Sequence, residues 1–257
     1  MGRSAVVTVA VNTFRETVRN KILYNILFVA LGVIVFSVSL GDWSVFARVQ
    51  VMQDFGLATM SLTGLLLSVF IGVGMLAREV SSKTIYMVVT KPIRRSSFIV
   101  GKFLGLLTLL LLDYLLLSVF FWGAIRWMGG HAHASILQAI LLIWVEMAVM
   151  IAAAIFFSSF SSGPVLAAIL TAAFYVGGHL NDLVSVELLE GKQKALEGVL
   201  KVVYFLLPNL EHFNVRTAMV YGLELPANYV PLACLYGLMY VVLLLYLSCL
   251  VFGRRDL

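Results

Sequence analysis

Long apolar stretches alternate with short polar segments along the whole chain. Crossing the hydrocarbon of a bilayer takes about 20 mainly apolar residues. Five stretches approach or exceed that length with at most one charged residue in mid-span, namely residues 22–40, 56–77, 103–125, 135–158 and 229–252. A further stretch, residues 163–180, lies at the lower limit of length. The pattern predicts an all-α membrane protein with six transmembrane helices, numbered here in chain order as spans one to six.

The polar segments are too short to form a water-soluble domain. The chain has 257 residues, of which 61% are hydrophobic and 12% are charged, whereas a typical soluble domain carries about 25% charged residues. We therefore expect a single transmembrane domain, residues 1–257, with no separate catalytic domain.

Lys and Arg are distributed unevenly between the two sets of polar segments. With the N-terminus in the cytoplasm, the inner segments hold 12 of the 18 Lys and Arg residues, and the outer segments hold eight of the thirteen Asp and Glu residues. Cytoplasmic loops of membrane proteins carry an excess of Lys and Arg, so both termini are predicted to be cytoplasmic. Topology thus explains the net charge of +5, and no nucleic-acid partner is expected.

The segment before span one, residues 1–21, has an amphipathic helical pattern. Val7, Val11, Phe14 and Val18 recur at helical spacing, and the positions between them are polar or basic at Arg3, Thr8, Asn12, Arg15 and Arg19. We expect a helix on the inner membrane surface, in contact with lipid headgroups. The alternative is a helix packed on other cytoplasmic residues, of which there are few. Because the basic leader and the apolar run are both long, we expect a retained span and not a cleaved signal peptide.

The segment between spans five and six, residues 181–228, is long and mixed in character. Its charged residues make burial in hydrocarbon costly, and Glu190 with Lys194 and Glu197 with Lys201 form i,i+4 pairs of the stabilising orientation. We predict an outer helical segment on the membrane surface, ended by Pro208 and Asn209.

Small residues recur every four positions on two of the spans. Gly64, Ser68 and Gly72 lie on span two, and Pro164, Ala168 and Ala172 repeat the spacing on span five. Such faces let helices approach closely in lipid. They predict helix packing, either within one subunit or between two.

Two carboxylates interrupt the apolar spans, Asp113 in span three and Glu146 in span four. Each lies roughly a dozen residues from the turn between these spans, or about 17–20 Å at 1.5 Å per residue. A close pair would share a proton. Our hypothesis is that both line a transport path or handle protons, and the alternative is a pair of protonated carboxyls that hydrogen-bond neighbouring helices.

The chain has few other candidate metal-binding or catalytic residues. His131 and His133 form a His-x-His near Met128, but two ligands on a Gly-flanked loop are too few for a metal site. Cys234 and Cys249 lie on the last span and are not expected to pair. His179, Asn181 and Asp182 are interpreted as cap and interface residues.

The largest inner segment, residues 78–102, separates spans two and three. Residues 84–89 can form a short helix with Ile85, Val88 and Val89 on one side, which Pro92 would end. Ser96 or Ser97 is predicted to cap span three. A solvated positive loop would explain the charges of this segment, but it would not explain the apolar face, which indicates a docking element.

This segment resembles the ABC-2 type transporter permeases, the membrane subunits of one class of ATP-driven exporters. The family pattern is a Glu, a small residue and Thr, an apolar stretch, a Pro closely followed by a basic residue, and a Lys at the start of span three. The matching residues are Glu79, Thr84, Pro92, Arg95 and Lys102, while Lys83 stands where Gly is usual. Residues 252–257 and 207–211 are also similar to family motifs.

The resemblance implies a coupling helix that contacts an ABC ATPase subunit. The residues it assigns to this contact are Glu79, Lys83, Thr84, Ile85, Val88, Val89, Pro92, Arg95 and Lys102. ATP and Mg²⁺ would be bound by the partner chain, because this sequence lacks a G-x-x-x-x-G-K-[ST] motif, and no cofactor is expected here. The resemblance further implies a second copy or a homologous permease, export of an unidentified substrate, and a place in the bacterial inner membrane.

Two other classes of function fit an apolar chain of this size. An intramembrane enzyme would need a serine and histidine pair or paired aspartates in the membrane, but the chain has no G-x-S-x-G, and Asp113 is its only mid-span Asp. A membrane scaffold or assembly factor without cargo is the third class. An ATPase gene adjacent to this one would favour the transporter.

Overall fold

The computed structural model describes residues 2–43, 47–74, 95–130, 134–161, 163–190, 207–220, 223, 225–226 and 228–254. Every regular element in these ranges is helical. The helices are α1 (Gly2–Val18), α2 (Lys21–Trp43), α3 (Arg48–Leu67), α4 (Arg95–Trp127), α5 (Ala134–Phe160), α6 (Pro164–Glu190), α7 (Arg216–Val220) and α8 (Tyr229–Arg254). Helix α3 continues as a π-helical stretch, Ser68–Val73, and a 3₁₀ turn, Leu210–Phe213, precedes α7.

Five helices in the described ranges are long and apolar enough to cross a membrane, judged by length and composition. They include spans one to four and span six of the sequence prediction, as parts of α2, α3 with its π-helical stretch, α4, α5 and α8. The apolar part of α6, Pro164–Leu180, is shorter. The apolar part ends at Leu180, as the sequence predicts for the fifth span. The helix itself continues to Glu190, so the helical structure predicted after residue 180 is continuous with this helix in residues 181–190.

Helix α5 is the centre of the bundle and contacts α3, α4, α6 and α8. In an 18-residue apolar window of α5, 72% of the residues are buried, against 22% for α2 and 28% for α8. The run Ala152, Ala153 and Ala154 is fully buried, and its small side chains allow neighbouring helices to approach. Large apolar side chains of α2 and α8 point outward, as expected of helices that face lipid.

The small residues of α3 and its extension pack inside the subunit. A Cβ at Gly64 would collide with Tyr114 and Met147, and one at Gly72 would lie 3.1 Å from Ala154. Ser68 is buried, and its hydroxyl donates to the Gly64 carbonyl at 2.7 Å. This face therefore joins α3 to α4 and α5. On α6, by contrast, Pro164 and Ala172 are exposed, and the buried face includes Ala167 and Thr171.

Helix α1 is present where the sequence predicts it, but it lies against a transmembrane helix. It contacts α4 more extensively than any other pair of described helices contact each other. A Cβ at Gly101 would lie 2.7 Å from the Val9 side chain, and one at Gly105 would lie 2.6 Å from the Ala10 carbonyl oxygen. Neither expectation for α1, contact with lipid headgroups or packing on other cytoplasmic residues, included α4 as a partner.

The remaining faces of α1 keep the predicted pattern. Val7 and Val11 stay exposed, at 60% and 41%. The polar face, which includes Asn12 and Arg15, is exposed as well. Contact with α4 thus leaves both an apolar and a polar face for the membrane interface, whose occupation by α1 stays a prediction.

The segment 207–220 lies within the bundle, and its Pro208 and Asn209 are outside any helix. Residues 191–206 of the outer helix that they are predicted to end lie outside the described ranges. Leu210 and Phe213 are fully buried, and the backbone N–H of Asn209 donates to the Tyr236 hydroxyl at 2.8 Å. Tyr236 is seven residues into α8, or about 10 Å along the helix. The sequence predicts a break here but not this insertion. The paired residues Lys194, Glu197 and Lys201 lie outside the described ranges.

Candidate functional site

A polar cavity of about 100 Å³ lies where α3, α5, α6 and the inserted segment 207–220 meet. Helix α5 contributes Glu146, helix α6 contributes Tyr175 and His179, and helix α3 contributes Ser61. The inserted segment closes the cavity with residues 213–216. The site therefore depends on four parts of the chain that are distant in sequence.

Glu146 and His179 lie side by side in this cavity. The Glu146 side chain is 3% exposed, and its Oε1 lies 3.5 Å from His179 Nε2. His179 Nδ1 lies 3.2 Å from the Tyr175 carbonyl oxygen. The carboxyl group of Glu146 thus lies beside the imidazole ring of His179, whose other nitrogen faces a backbone carbonyl.

Aromatic and hydroxyl groups surround this pair. The rings of Tyr175 and His179 are 4.4 Å apart between centroids, and the Tyr175 hydroxyl lies 3.5 Å from the Ser61 hydroxyl. Phe213 is fully buried and lines the same cavity. The cavity thus combines a carboxyl group with aromatic rings and neutral hydroxyl groups.

A charged pair lies at the exposed edge of the cavity. Arg216 Nε is 3.6 Å from Asp54 Oδ1, and both side chains are substantially exposed. Local hydrogen bonds shape the backbone that carries Arg216: the Asn209 side chain accepts from the Glu211 N–H at 3.0 Å, and the Asn214 amide donates to Glu211 Oε1 at 2.7 Å. These bonds hold Asn214 and Arg216 beside the cavity.

Asp113 occupies a different environment from Glu146. It is buried on α4, and neither of its oxygens has a hydrogen-bond partner within the described part of the chain. It does not line the cavity, and no hydrogen bond or ion pair among the described residues joins it to Glu146. The common transport path of these two carboxylates stays a hypothesis, and the geometry offers a role in the cavity to Glu146 alone.

On the opposite side of the bundle, the start of α4 is attached to the end of α8. Arg95 Nη1 donates to the carbonyl oxygens of Phe252 and Gly253 at 3.2 and 3.1 Å, and the rings of Phe98 and Phe252 stack at 6.1 Å. Carbonyls in the last turn of a helix lack intrahelical partners and attract cations. Arg95, which belongs to the predicted coupling segment 78–102, is thereby attached to α8.

Lys102 lies about two helical turns after Arg95 on α4. It is 3% exposed. Its Nζ is 5.1 Å from the centre of the Phe98 ring, a distance typical of a cation–π contact. Lys102 is thus buried on α4 next to Gly101, which α1 covers, and its part in the ATPase contact stays a prediction. The sequence does not reveal this burial.

The other predicted coupling residues lie outside the described ranges. They are Glu79, Lys83, Thr84, Ile85, Val88, Val89 and Pro92. Ser96 and Ser97 lie inside the first turn of α4, which begins at Arg95, so the prediction that one of them precedes and caps this helix is wrong.

No metal centre is visible in the part of the chain that the structure describes, where no three His, Cys, Asp or Glu side chains cluster. His131 and His133 fall outside that part. Cys234 and Cys249 are free thiols on α8, as the sequence predicts.

Comparison with known families decides the class of the protein. The sequence profile of the family described as ABC-2 family transporter protein matches residues 7–257. The chain belongs to this family. A search of curated proteins finds no match. The resemblance drawn from the segment 78–102 is confirmed, and the chain is a multi-pass membrane protein of the ABC-2 permease type.

Sequence reasoning missed two features of this ABC-2 permease. The spacing of Gly101 and Gly105 on α4 is the same small-residue signal that we used for Gly64 and Ser68, so the site of close approach could have been found. The pairing of Glu146 with His179 could not, because the two residues lie on different helices, 33 positions apart, and no periodicity relates them.

Proposed function

We propose that this permease exports its substrate by coupling to a separate ATPase subunit, in an assembly with a second copy or a homologous permease. In this proposal all six predicted spans cross the bacterial inner membrane, with both termini in the cytoplasm. The segment 78–94 then lies on the ATP side, and the cavity around Glu146 lies towards the opposite side. Membership of the ABC-2 family supports the proposal.

One structural observation carries the coupling step. The start of α4 holds the last residues of the predicted coupling segment 78–102, and it is attached to two other helices. Arg95 bonds the last turn of α8, and Gly101 and Gly105 hold α1 at close range. A push on the segment 78–94 would therefore move α1, α4 and α8 as a unit.

Motion of this unit would reach the far side through α5. Helix α8 packs extensively on α5, and Gly237 of α8 lies so close to Val145 that a Cβ there would be 2.5 Å from its side chain. Val145 directly precedes Glu146, which lines the cavity. The packing thus forms a continuous mechanical connection from the ATPase side to the cavity.

We expect an ABC ATPase gene beside that of this permease. The test is copurification with its product, followed by measurement of ATP hydrolysis in nanodiscs. Glu79→Ala and Pro92→Ala should each lower the permease-dependent stimulation of ATP turnover severalfold, because they remove a charged contact and the end of the predicted coupling helix.

Glu16→Ala on α1 is the matched control, since it removes the same charge from an exposed position on the same predicted side. It should leave stimulation unchanged. Full stimulation in both coupling variants, with intact complexes, would contradict the assignment of residues 78–102 to the ATPase contact.

A further inference from the structure

A buried acceptor in the cavity lacks a donor. Glu146 Oε1 has no hydrogen-bond partner among the residues that the structure describes, and His179 Nε2 at 3.5 Å is beyond normal hydrogen-bond length. Buried carboxylate oxygens nearly always receive hydrogen bonds from protein, water or ligand. The geometry therefore leaves a place beside Glu146 for a donor from outside the chain.

The space beside Glu146 is large enough for a small ligand. A cavity needs about 10–15 Å³ on this measure to hold one water, and this cavity measures about 100 Å³. It therefore has room for several waters or for a ligand of a few non-hydrogen atoms. Larger compounds would not fit without movement of the inserted segment.

The walls favour a cationic donor over an anion. Tyr175 and Phe213 contribute aromatic rings, whose faces attract cations. Arg216 is the cationic side chain that most nearly suits an anion, but its Nε already faces Asp54. A metal ion is not favoured, since Glu146 and His179 supply only two ligands.

The backbone around the cavity also resembles that of a ligand site. Residues 207–209, 214 and 215 are not helical, yet they lie within the bundle next to the fully buried Leu210 and Phe213. Irregular backbone at membrane depth occurs where it is buried in protein or lines a polar cavity. Here Asn214 and Val215 line the cavity.

We propose that this cavity binds small compounds that carry a primary ammonium group, whose N–H groups donate to Glu146. The binding goes beyond the proposed function, because it requires neither ATP nor the partner subunit. The ammonium group has two sources to distinguish, a free amine in the aqueous phase and the ethanolamine headgroup of a membrane lipid. Both present the same charged donor to the carboxylate.

The test is calorimetric titration of the purified full chain with ethanolamine, in a maltoside detergent and without nucleotide. Ethanolamine should bind saturably. Choline, which has the same charge but no N–H on its cationic nitrogen, should bind at least about tenfold more weakly, because the charge-assisted hydrogen bonds are lost. Equal binding of the two compounds would overturn the proposal, and so would no binding of ethanolamine.

Two variants locate the binding. Glu146→Gln should weaken ethanolamine binding at least about tenfold, whereas Asp113→Asn, which alters a buried carboxyl outside the cavity, should leave it within about twofold. Ser61→Val keeps the carboxyl group but narrows the cavity, and it should also weaken binding. Size-exclusion profiles and melting temperatures check that each variant is folded, and unchanged affinity in folded Glu146→Gln would refute the site.

Nanodiscs distinguish the two sources. If ethanolamine binds more weakly in phosphatidylethanolamine than in phosphatidylcholine bilayers, the headgroup occupies the cavity. Equal affinity in both supports a free amine. Loss of ATPase coupling in Glu79→Ala would not alter these titrations, so failure of this inference and failure of the proposed function can be told apart.

Discussion

The approach of Glu146 to His179 is the central chemical feature of the cavity. An isolated buried carboxylate is costly, so its free energy depends on nearby polar groups, namely the His179 ring at 3.5 Å and the ammonium ligand proposed above. The Tyr175 carbonyl orients the ring by facing its other nitrogen. The two side chains therefore behave as one unit, and replacing either one changes the state of the other.

A double-mutant cycle measures the coupling free energy between Glu146 and His179. Glu146→Gln and His179→Gln should each destabilise the fold, and the double variant should cost less than the sum of the two, with a coupling energy of about 0.5–3 kcal/mol. Unfolding in mixed micelles with increasing dodecyl sulfate provides the free energies.

The pair Asp54 and Arg216 serves as the exposed comparison. The same cycle with Asp54→Asn and Arg216→Gln should give at most about 1 kcal/mol, because solvent screens exposed ion pairs. Strictly additive effects at Glu146 and His179 would show that the two side chains do not interact.

At the scale of elements, contact between α1 and α4 depends on the absence of two side chains. Gly101 and Gly105 lie one turn apart, and α1 backbone or side-chain atoms occupy the space that a Cβ would need. Val6 and Ala10 present their carbonyl oxygens to this groove, and backbone cannot move aside as a flexible side chain can. The attachment of α1 should therefore be sensitive to a single methyl group.

Gly105→Ala should destabilise the permease by about 1–3 kcal/mol, because the new methyl group overpacks the interface. Gly123→Ala on the same helix is the control, since nothing lies within 4 Å of its Cβ position. It should be neutral or stabilising by up to about 1 kcal/mol, because Ala favours helix more than Gly does. Equal melting temperatures for both variants would contradict the close α1–α4 contact.

At the scale of the whole molecule, topology depends on α6. Its apolar part has 17 residues and is about 25 Å long, somewhat less than the hydrocarbon thickness of about 30 Å. The helix is 27 residues long in total, so crossing requires that part of the polar segment after Leu180 enters the interface. If α6 did not cross, the orientation of α8 would be reversed.

Labelling of single cysteines tests this topology. In a variant with Cys234 and Cys249 replaced by Ala, we expect a membrane-impermeant maleimide to label Trp127→Cys and Asn228→Cys on intact cells. Asn20→Cys and Gly163→Cys should react only after permeabilisation. Reaction of Asn228→Cys only after permeabilisation would show that α6 does not cross.

The sequence by itself determined which segments are apolar helices and to which family the chain belongs. Both properties are local: span length follows from composition, and the family pattern around Glu79, Pro92 and Lys102 is a matter of spacing. The end of α6 was harder to predict from the sequence, because the helix continues through polar residues to Glu190.

Only the tertiary structure decided which faces meet. In soluble helices an apolar stripe marks the buried face, but transmembrane helices are apolar all round, so periodicity does not distinguish protein from lipid contact. The packing of α1 on Gly101 and Gly105, the insertion of segment 207–220, and the approach of His179 to Glu146 all arise from shape and polar pairing between distant segments. The candidate site exists because these contacts form together.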